Sequence, residues 1–269
     1  MPNTSDTSSP TFKKLLVLGD TGSGKTTQFA TLPGKKYIYL FDPNALLSLR
    51  GFDVDYDEYL PTPIPFSAVS LSKEKGGDKR AGISNVYQRF ESEFNERTQN
   101  GFFDKYDWIG FDGATTLLEL MMDRILTING RFGQWPHEDD WGPQMIAFSN
   151  LCRTVTAMGK NCYFTGHMFD KSNRKTGVTR RLPMMTGQLV QRIPLLFSDI
   201  LGCDTDKDEK GKVIYQLCTV RDPEFTVIRT SIKGLNPYEN VTIDWKEPIV
   251  GQGLGGILNW ESKQLKGGT

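Results

Sequence analysis

One stretch, Gly19-Asp20-Thr21-Gly22-Ser23-Gly24-Lys25-Thr26, constrains this chain more than any other. It fits G-x-x-x-x-G-K-[ST], a pattern whose chemistry dictates its surroundings. The glycines let the backbone curl until successive amides point inward at an anion. A helix opening at Gly24 adds the positive end of its dipole. Lys25 supplies a mobile charge for the β- and γ-phosphates of a nucleotide, and the Thr26 hydroxyl can ligate Mg²⁺. Thr27 continues the candidate site into the first turn. The arrangement works only if a strand feeds the loop and a helix leaves it. Both are readable: KKLLVLG (13–19) is a short apolar run ending in Gly, and KTTQFATL runs to the stop at Pro33-Gly34.

The same alternation continues downstream. KYIYLF (36–41) reads as a second strand ending at Asp42-Pro43, YDWIGFD (106–112) as a third, and NCYFTG (161–166) as a fourth. Between them lie helical stretches: Val86, Phe90 and Phe94 at helical spacing, then ATTLLELMMDRIL (114–126), then roughly Pro143 to Met158. Strands alternating with helices imply an α/β fold with a central, mostly parallel sheet. Residues 42–82 read as irregular, with an acidic patch at Asp53, Asp55, Asp57 and Glu58. Residues 168–186 read as a basic loop. The remainder, with SDILGC, VIYQLCTV and FTVIRT, reads as β-hairpins. The expected organisation is a disordered leader (1–11), a core (12–235) and a C-terminal extension (236–269).

A phosphate loop needs a metal-holding acid on a nearby strand. Asp112, after four largely apolar residues, is placed to hold Mg²⁺ together with Thr26; alternatively it caps the helix at Ala114. At the end of the fourth strand, His167 is a candidate sensor of the γ-phosphate. Its alternative is a partly buried His satisfied by backbone, with Thr165 then the sensor.

Composition narrows the field. Lys plus Arg and Asp plus Glu are 32 each, so bulk positive charge cannot drive binding to nucleic acid. Two His exclude a His-rich metal site, and the four Cys have no CxxC spacing. The N-terminal residues carry no apolar run, and no stretch matches a membrane span. A reducing cytoplasm with free thiols is expected. DTDKDEKGKVIY (204–215) starts like a calcium loop but lacks the required Gly and Glu, so it reads as a hairpin turn. GQGLGG (251–256) comes too near the end of the sequence for a dinucleotide-binding unit and reads as a flexible tail.

Together these features resemble the RecA-like ATPase core. More narrowly, YLFDPNALLSLRG (39–51), HEDDWGPQ and LPMMTGQL followed by RIPLLFSDIL (182–201) resemble phage-encoded ATPases of the Sak group, which promote single-strand annealing. The resemblance covers about residues 12–235. It implies a RecA-like P-loop NTPase with ATP and Mg²⁺ as ligands and a fourth strand between the first and third. It also implies a ring or filament in the host cytoplasm, with a neighbour's basic residue reaching the γ-phosphate. RecA-type enzymes carry a catalytic Glu just after the second strand. Here the segment reads Asp42-Pro43-Asn44, so Asn44 or Asp42 must position the water. ATP binding follows more directly than fast hydrolysis, and a slow or DNA-stimulated ATPase is the expectation.

Residues 170–192 hold six cations (Lys171, Arg174, Lys175, Arg180, Arg181, Arg192) against the single acid Asp170. With Phe169, the loop residues Lys171, Arg174 and Lys175 suit a single-stranded DNA backbone with occasional base stacking; the alternative is a solvated loop. The 127–140 loop, with Arg131, Phe132 and Trp135, is a weaker candidate. Arg180, Arg181 and Arg229 are the candidates for the finger on a neighbour's ATP. Two other functions fit the same loop. One is a nucleotide switch that loads a helicase or binds a partner, such as a single-strand binding protein, with little DNA affinity of its own. The other is a small-molecule kinase.

Overall fold

The computed structural model describes residues 12–64, 83–172, 177–222 and 224–267. The leader (1–11), Arg174 and Lys175 lie outside the described residues.

The sheet has eight strands in the order β10-β9-β8-β1-β5-β4-β2-β3. In chain order these are β1 (Lys14–Gly19), β2 (Lys36–Leu40), β3 (Asp55–Glu58), β4 (Trp108–Asp112), β5 (Asn161–Gly166), β8 (Asp199–Lys207), β9 (Val213–Cys218) and β10 (Tyr238–Asn240). The run from β8 to β3 is parallel throughout, and β9 and β10 add antiparallel strands at one edge. β5 lies between β1 and β4, the placement the resemblance implies. A separate hairpin pairs β6 (Met168–Ser172) with β7 (Thr179–Pro183).

The pleat sorts the strand residues between two cores, because successive side chains face opposite sides. Leu16 and Leu18 of β1, Tyr37 and Tyr39 of β2, Phe111 of β4 and Phe164 of β5 face one side. There they meet α2 (Val86–Gln99), α3 (Ala114–Ile128) and α4 (Trp141–Ala157). Leu15, Val17, Ile38, Leu40 and Tyr163 face the other side, where α1 (Lys25–Ala30) and α6 (Gly253–Gly267) pack. Helices on both faces leave the central strands β1, β2, β4 and β5 largely apolar. α5 (Leu189–Arg192) is a short turn leading into β8.

Four expectations change. The acidic patch is not irregular: Asp55–Glu58 is the edge strand β3, paired with β2. Its acids stay in place because Asp57 meets Arg97 and the Tyr37 hydroxyl, and Asp55 accepts from Tyr106 at 2.7 Å. The basic loop is largely the hairpin β6–β7. FTVIRT is not a strand; only Ile200 and Arg229 form an isolated antiparallel bridge. Finally, GQGLGG is not a flexible tail. It enters α6, whose Leu254 and Leu258 are buried against α1, while residues 238–240 join the sheet. The 204–215 segment is a hairpin, as read, with the turn at 208–212 between the ends of β8 and β9.

Candidate functional site at the crest of the sheet

The C-terminal ends of β1, β2, β4 and β5 converge on one crest, where open parallel sheets commonly bind ligands. A cavity of about 760 Å³ opens there, lined by Thr21, Gly22, Gly24, Lys25, Thr26, Thr27, Asp42, Asn44, Asp112 and His167. The phosphate-loop candidates and the acid candidates, far apart in sequence, thus share one pocket.

The loop turns as its composition requires. Gly22 and Gly24 have φ of 82° and 87°, where a side chain would be strained. Asp20 and Thr21 are exposed, Gly19 and Ser23 buried. Lys25 is 7% exposed. Its ammonium donates to the carbonyls of Gly19 (2.9 Å) and Asp20 (2.6 Å). Burial pushes its pKa below the usual lysine value, against the pull of Cys203 and the acids Asp112, Asp42 and Asp20. The Tyr163 hydroxyl donates to the Lys25 carbonyl at 2.6 Å and fixes the first turn of α1 to the sheet.

The Thr26 hydroxyl donates to both oxygens of Asp112, at 3.1 and 2.9 Å. Asp112 also accepts from Thr165 at 2.6 Å, and Thr165 accepts the Gly113 amide at 2.8 Å. Asp112 is therefore no helix cap; Gly113, at φ 100°, takes that position. A side chain on Gly113 would run into the Asp42 carboxylate. Burial raises the Asp112 pKa, and Asp42 adds to that; the hydrogen bonds of Thr165 and Thr26 oppose it. A buried carboxylate beside a hydroxyl is a donor set for a hard cation that takes its remaining ligands from phosphate and water. Thr26 and Asp112 fit Mg²⁺ in that sense. Among the described residues, no cluster of three or more His, Cys, Asp or Glu offers a rival metal site.

Asp42 ends β2 facing the pocket. His167 Nε2 lies 3.4 Å from its carboxylate, and Thr116 donates to the other oxygen. Burial works to raise the Asp42 pKa, but the hydrogen bonds from His167 and Thr116 overcome it and hold the acid below its usual range. His167 is thus bound to a carboxylate, not only to backbone. Asn44 adopts φ 67°, the left-handed region, at the start of a short 3-10 turn. Among the described residues it is the only one other than Gly to do so. Glu119 does not line the cavity.

The far wall was not legible. Tyr215, Val241, Thr242, Ile243 and Trp245 complete the cavity. A Cβ on Gly24 would lie 3.1 Å from the Tyr215 ring, so Tyr215 covers the loop itself. Phe52 stacks on Trp245 at 6.1 Å and 22°. Gln28 of α1 donates to the Val241 carbonyl (2.9 Å) and accepts the Leu254 amide (2.8 Å), tying wall and α6 to the loop helix. An aromatic and aliphatic wall beyond a phosphate loop suits a planar base.

Two finger candidates are engaged within the chain. Arg181 meets Asp20 at 2.7 Å and lies within 3.6 Å of Asp170, Asp204 and Glu224. Arg229 donates to the carbonyls of Pro194 (3.1 Å) and Phe197 (2.8 Å). Both guanidiniums thus have partners within the chain. Arg180, on the other face of β7, is exposed. Of the DNA candidates, Phe169 pairs with Leu182 and is half-buried, while Lys171 is exposed beside Arg180. In the 127–140 loop Arg131 is held by Asp140 at 2.6 Å and Phe132 is buried, which leaves only Trp135 exposed for stacking.

No helix among the described residues is long and apolar enough to cross a membrane. All four cysteines are free and buried.

Solved structures with similar folds include the flagellar accessory protein FlaH from Methanocaldococcus jannaschii, at 9% identity and TM-score 0.40 over 87% of each chain. A KaiC-like protein from Pyrococcus horikoshii matches at 11% and 0.40, over 87% of this chain and 91% of that one. ATPases 2 and 3 of EssC from Geobacillus thermodenitrificans match at 13% and 0.34, over 94% of this chain and 44% of that one. No curated protein matches the sequence. The family model described as an AAA domain matches residues 11–227, a span that holds the phosphate loop, Asp42, Asp112 and His167, and the chain belongs to that P-loop ATPase family.

Proposed function

We propose that this chain hydrolyses ATP slowly and uses the nucleotide cycle to act on single-stranded DNA in phage recombination or annealing, in the host cytoplasm. The observation that carries the hydrolytic half is the meeting of Asp42 and His167 at 3.4 Å in the cavity that holds Lys25, Thr26 and Asp112. Loop amides and Lys25 hold the phosphates, and Thr26 and Asp112 hold the cation. The cation, when bound, offsets charge on the phosphate oxygens. Asp42, kept ionised by His167 and Thr116, accepts the proton of the attacking water. His167 reports the change at the γ-phosphate to the hairpin that begins one residue later. Asn44 lines the same cavity and orients water rather than deprotonating it. Positioning and electrostatics carry the rate.

The DNA half rests on the Sak-group resemblance, as does assembly into a ring or filament. A second reading, the nucleotide switch that engages a partner protein, is favoured by one observation: among the described residues, the groove beside the hairpin has aliphatic walls and no aromatic lining for bases.

ATP turnover with and without single-stranded DNA separates the two readings, with Lys25→Ala as control. Stimulation by DNA that Lys25→Ala abolishes supports the recombination reading. Nucleotide binding without stimulation supports the switch.

A further inference from the structure

A second groove, about 1010 Å³, lies between the β6–β7 hairpin, the α5 turn and residues 221–229. It shares no lining residue with the nucleotide cavity. The hairpin's two faces explain its character. Asp170 and Arg181 are cross-strand partners on one face, turned to Asp20, Asp204 and Glu224. Lys171 and Arg180 are partners on the opposite face, and both line the groove. Arg221 and Arg229 approach from the facing segment. The Arg229 guanidinium is occupied by two carbonyls, which leaves Lys171, Arg180 and Arg221 to face a ligand.

Among the described residues, no carboxylate lines the groove. The nearby acids are spent elsewhere: Asp170 and Glu224 on Arg181, Asp222 on the Tyr238 hydroxyl and the amides of Glu224 and Phe225. Between the cations the walls are aliphatic, with Leu182 and Val190 on the sides and Leu195 at the rim, 70% exposed.

We propose that this groove docks a peptide segment of a partner protein in which carboxylates alternate with aliphatic side chains. The cations match carboxylates, and arginine does so bidentately. The aliphatic walls match apolar anchors, which supply most of the affinity in such contacts. A single-stranded nucleic acid fits the charge but not the walls, because its bases call for aromatic platforms and none lines the groove among the described residues. The volume suits a few residues of extended chain, on the scale of ordinary ligand pockets of roughly 300–1,000 Å³. The proposal stands apart from the chemistry of the first cavity, since a chain that never turned over ATP would present the same groove.

The test uses the full chain and fluorescence anisotropy with three probes: a labelled peptide of alternating aspartates and leucines, an all-polar peptide of equal charge, and labelled oligothymidine. Leu195→Asp and Arg221→Glu are the variants, both at exposed positions where the fold tolerates change. The alternating peptide is expected to bind, about tenfold more tightly than the all-polar one. Each variant is expected to weaken it by about tenfold, and added salt to weaken it further. Equal binding of both peptides would reduce the groove to a charge effect and overturn the proposal. Oligothymidine binding weakened by both variants, with no peptide binding, would reassign the groove to nucleic acid. Self-association by sedimentation that Leu195→Asp abolishes, again with no peptide binding, would reassign it to a second copy of the chain.

Discussion

The Arg181 guanidinium lies 2.7 Å from the Asp20 carboxylate and so joins the hairpin to the phosphate loop across 161 positions of sequence. Three further carboxylates surround the same guanidinium, which also lies over the Phe225 ring at 5.2 Å. Any movement of Asp20 on nucleotide binding therefore pulls on β7. Arg181→Leu leaves four acids facing one another without their cation. Because these acids are largely exposed, the loss is modest and screened by salt. Thermal melts are expected to show a fall of about 2–4 °C at low salt and less at high salt. Equal losses at both would assign the effect to packing on Phe225. Hydrogen exchange of the 168–183 amides is expected to respond to nucleotide in the parent chain and not in the variant.

Asp112 trades stability for function. Its folded pKa is raised by burial, so the ionised form is disfavoured in the fold. That cost is absent below the usual carboxylate pKa, where both states are protonated, and grows as pH rises through the folded value. Asp112→Asn keeps an acceptor for Thr26 and Thr165 and removes the charge. At neutral pH the nucleotide-free variant is expected to be the more stable in denaturant titrations, an advantage that vanishes in acid. Its Mg²⁺-dependent turnover is expected to drop by at least about 100-fold.

Asp42 and His167 are tested by kinetics. Asp42→Asn is expected to lower kcat by about 10²–10³ with little change in nucleotide Kd, the pattern of a lost proton acceptor. Since the Asp42 pKa is depressed, the acid limb of the parent's pH profile is expected below the usual carboxylate range. The stability that Asp42 contributes is present above that range and lost as pH falls through the folded pKa. His167→Gln is expected to move the limb upward. Asn44→Gly separates backbone from side chain, because Gly takes φ 67° freely. Full turnover in that variant would leave water positioning to Asp42 alone.

On α3, Asp123 follows Glu119 by one turn, and burial together with Glu119 raises its pKa to about 6. The folded state then holds a proton that the unfolded chain has released, so this group makes stability decline from about pH 4 to about pH 6. Asp123→Asn is expected to flatten that part of a stability–pH curve measured by denaturant titration. An unchanged slope would place the titration elsewhere.

Gly255 of α6 faces the Thr31 backbone so closely that a Cβ would collide with its carbonyl. Gly255→Ala is a helix-favouring change on propensity alone. It is nevertheless expected to destabilise the chain by about 2–3 kcal/mol in urea titrations, since neither backbone can move aside. Stabilisation instead would mean that α6 docks more loosely than drawn.

How far the sequence could be read depended on whether the signal was local. The strand, loop and helix around Lys25 are contiguous, and their glycines and apolar run announce themselves. Asp112 and His167 were legible because strands of a parallel sheet end on one crest. β3 was not, because DYDE has a charge at three of its four positions and is held as a strand by Arg97 and two tyrosines outside it. α6 was masked by three glycines in its first turn, of which Gly253 and Gly255 are kept small by Gln28 and the Thr31 backbone. The hairpin was read as a loop because its cations obscured the cross-strand alternation. The far wall could not be found at all: Tyr215 and Trp245 carry no motif, and only the sheet edge and the Gln28 bridge bring them to the loop.

The order in which the polypeptide is made gives the Gln28 bridge a temporal meaning. β1, the loop and α1 are synthesised before the wall at 241–245 and the helix that clamps α1. A nascent chain shows its phosphate loop long before it can close a pocket around a base. Closure of the wall over the loop therefore waits until synthesis has passed Leu258, although the loop itself is made more than two hundred residues earlier.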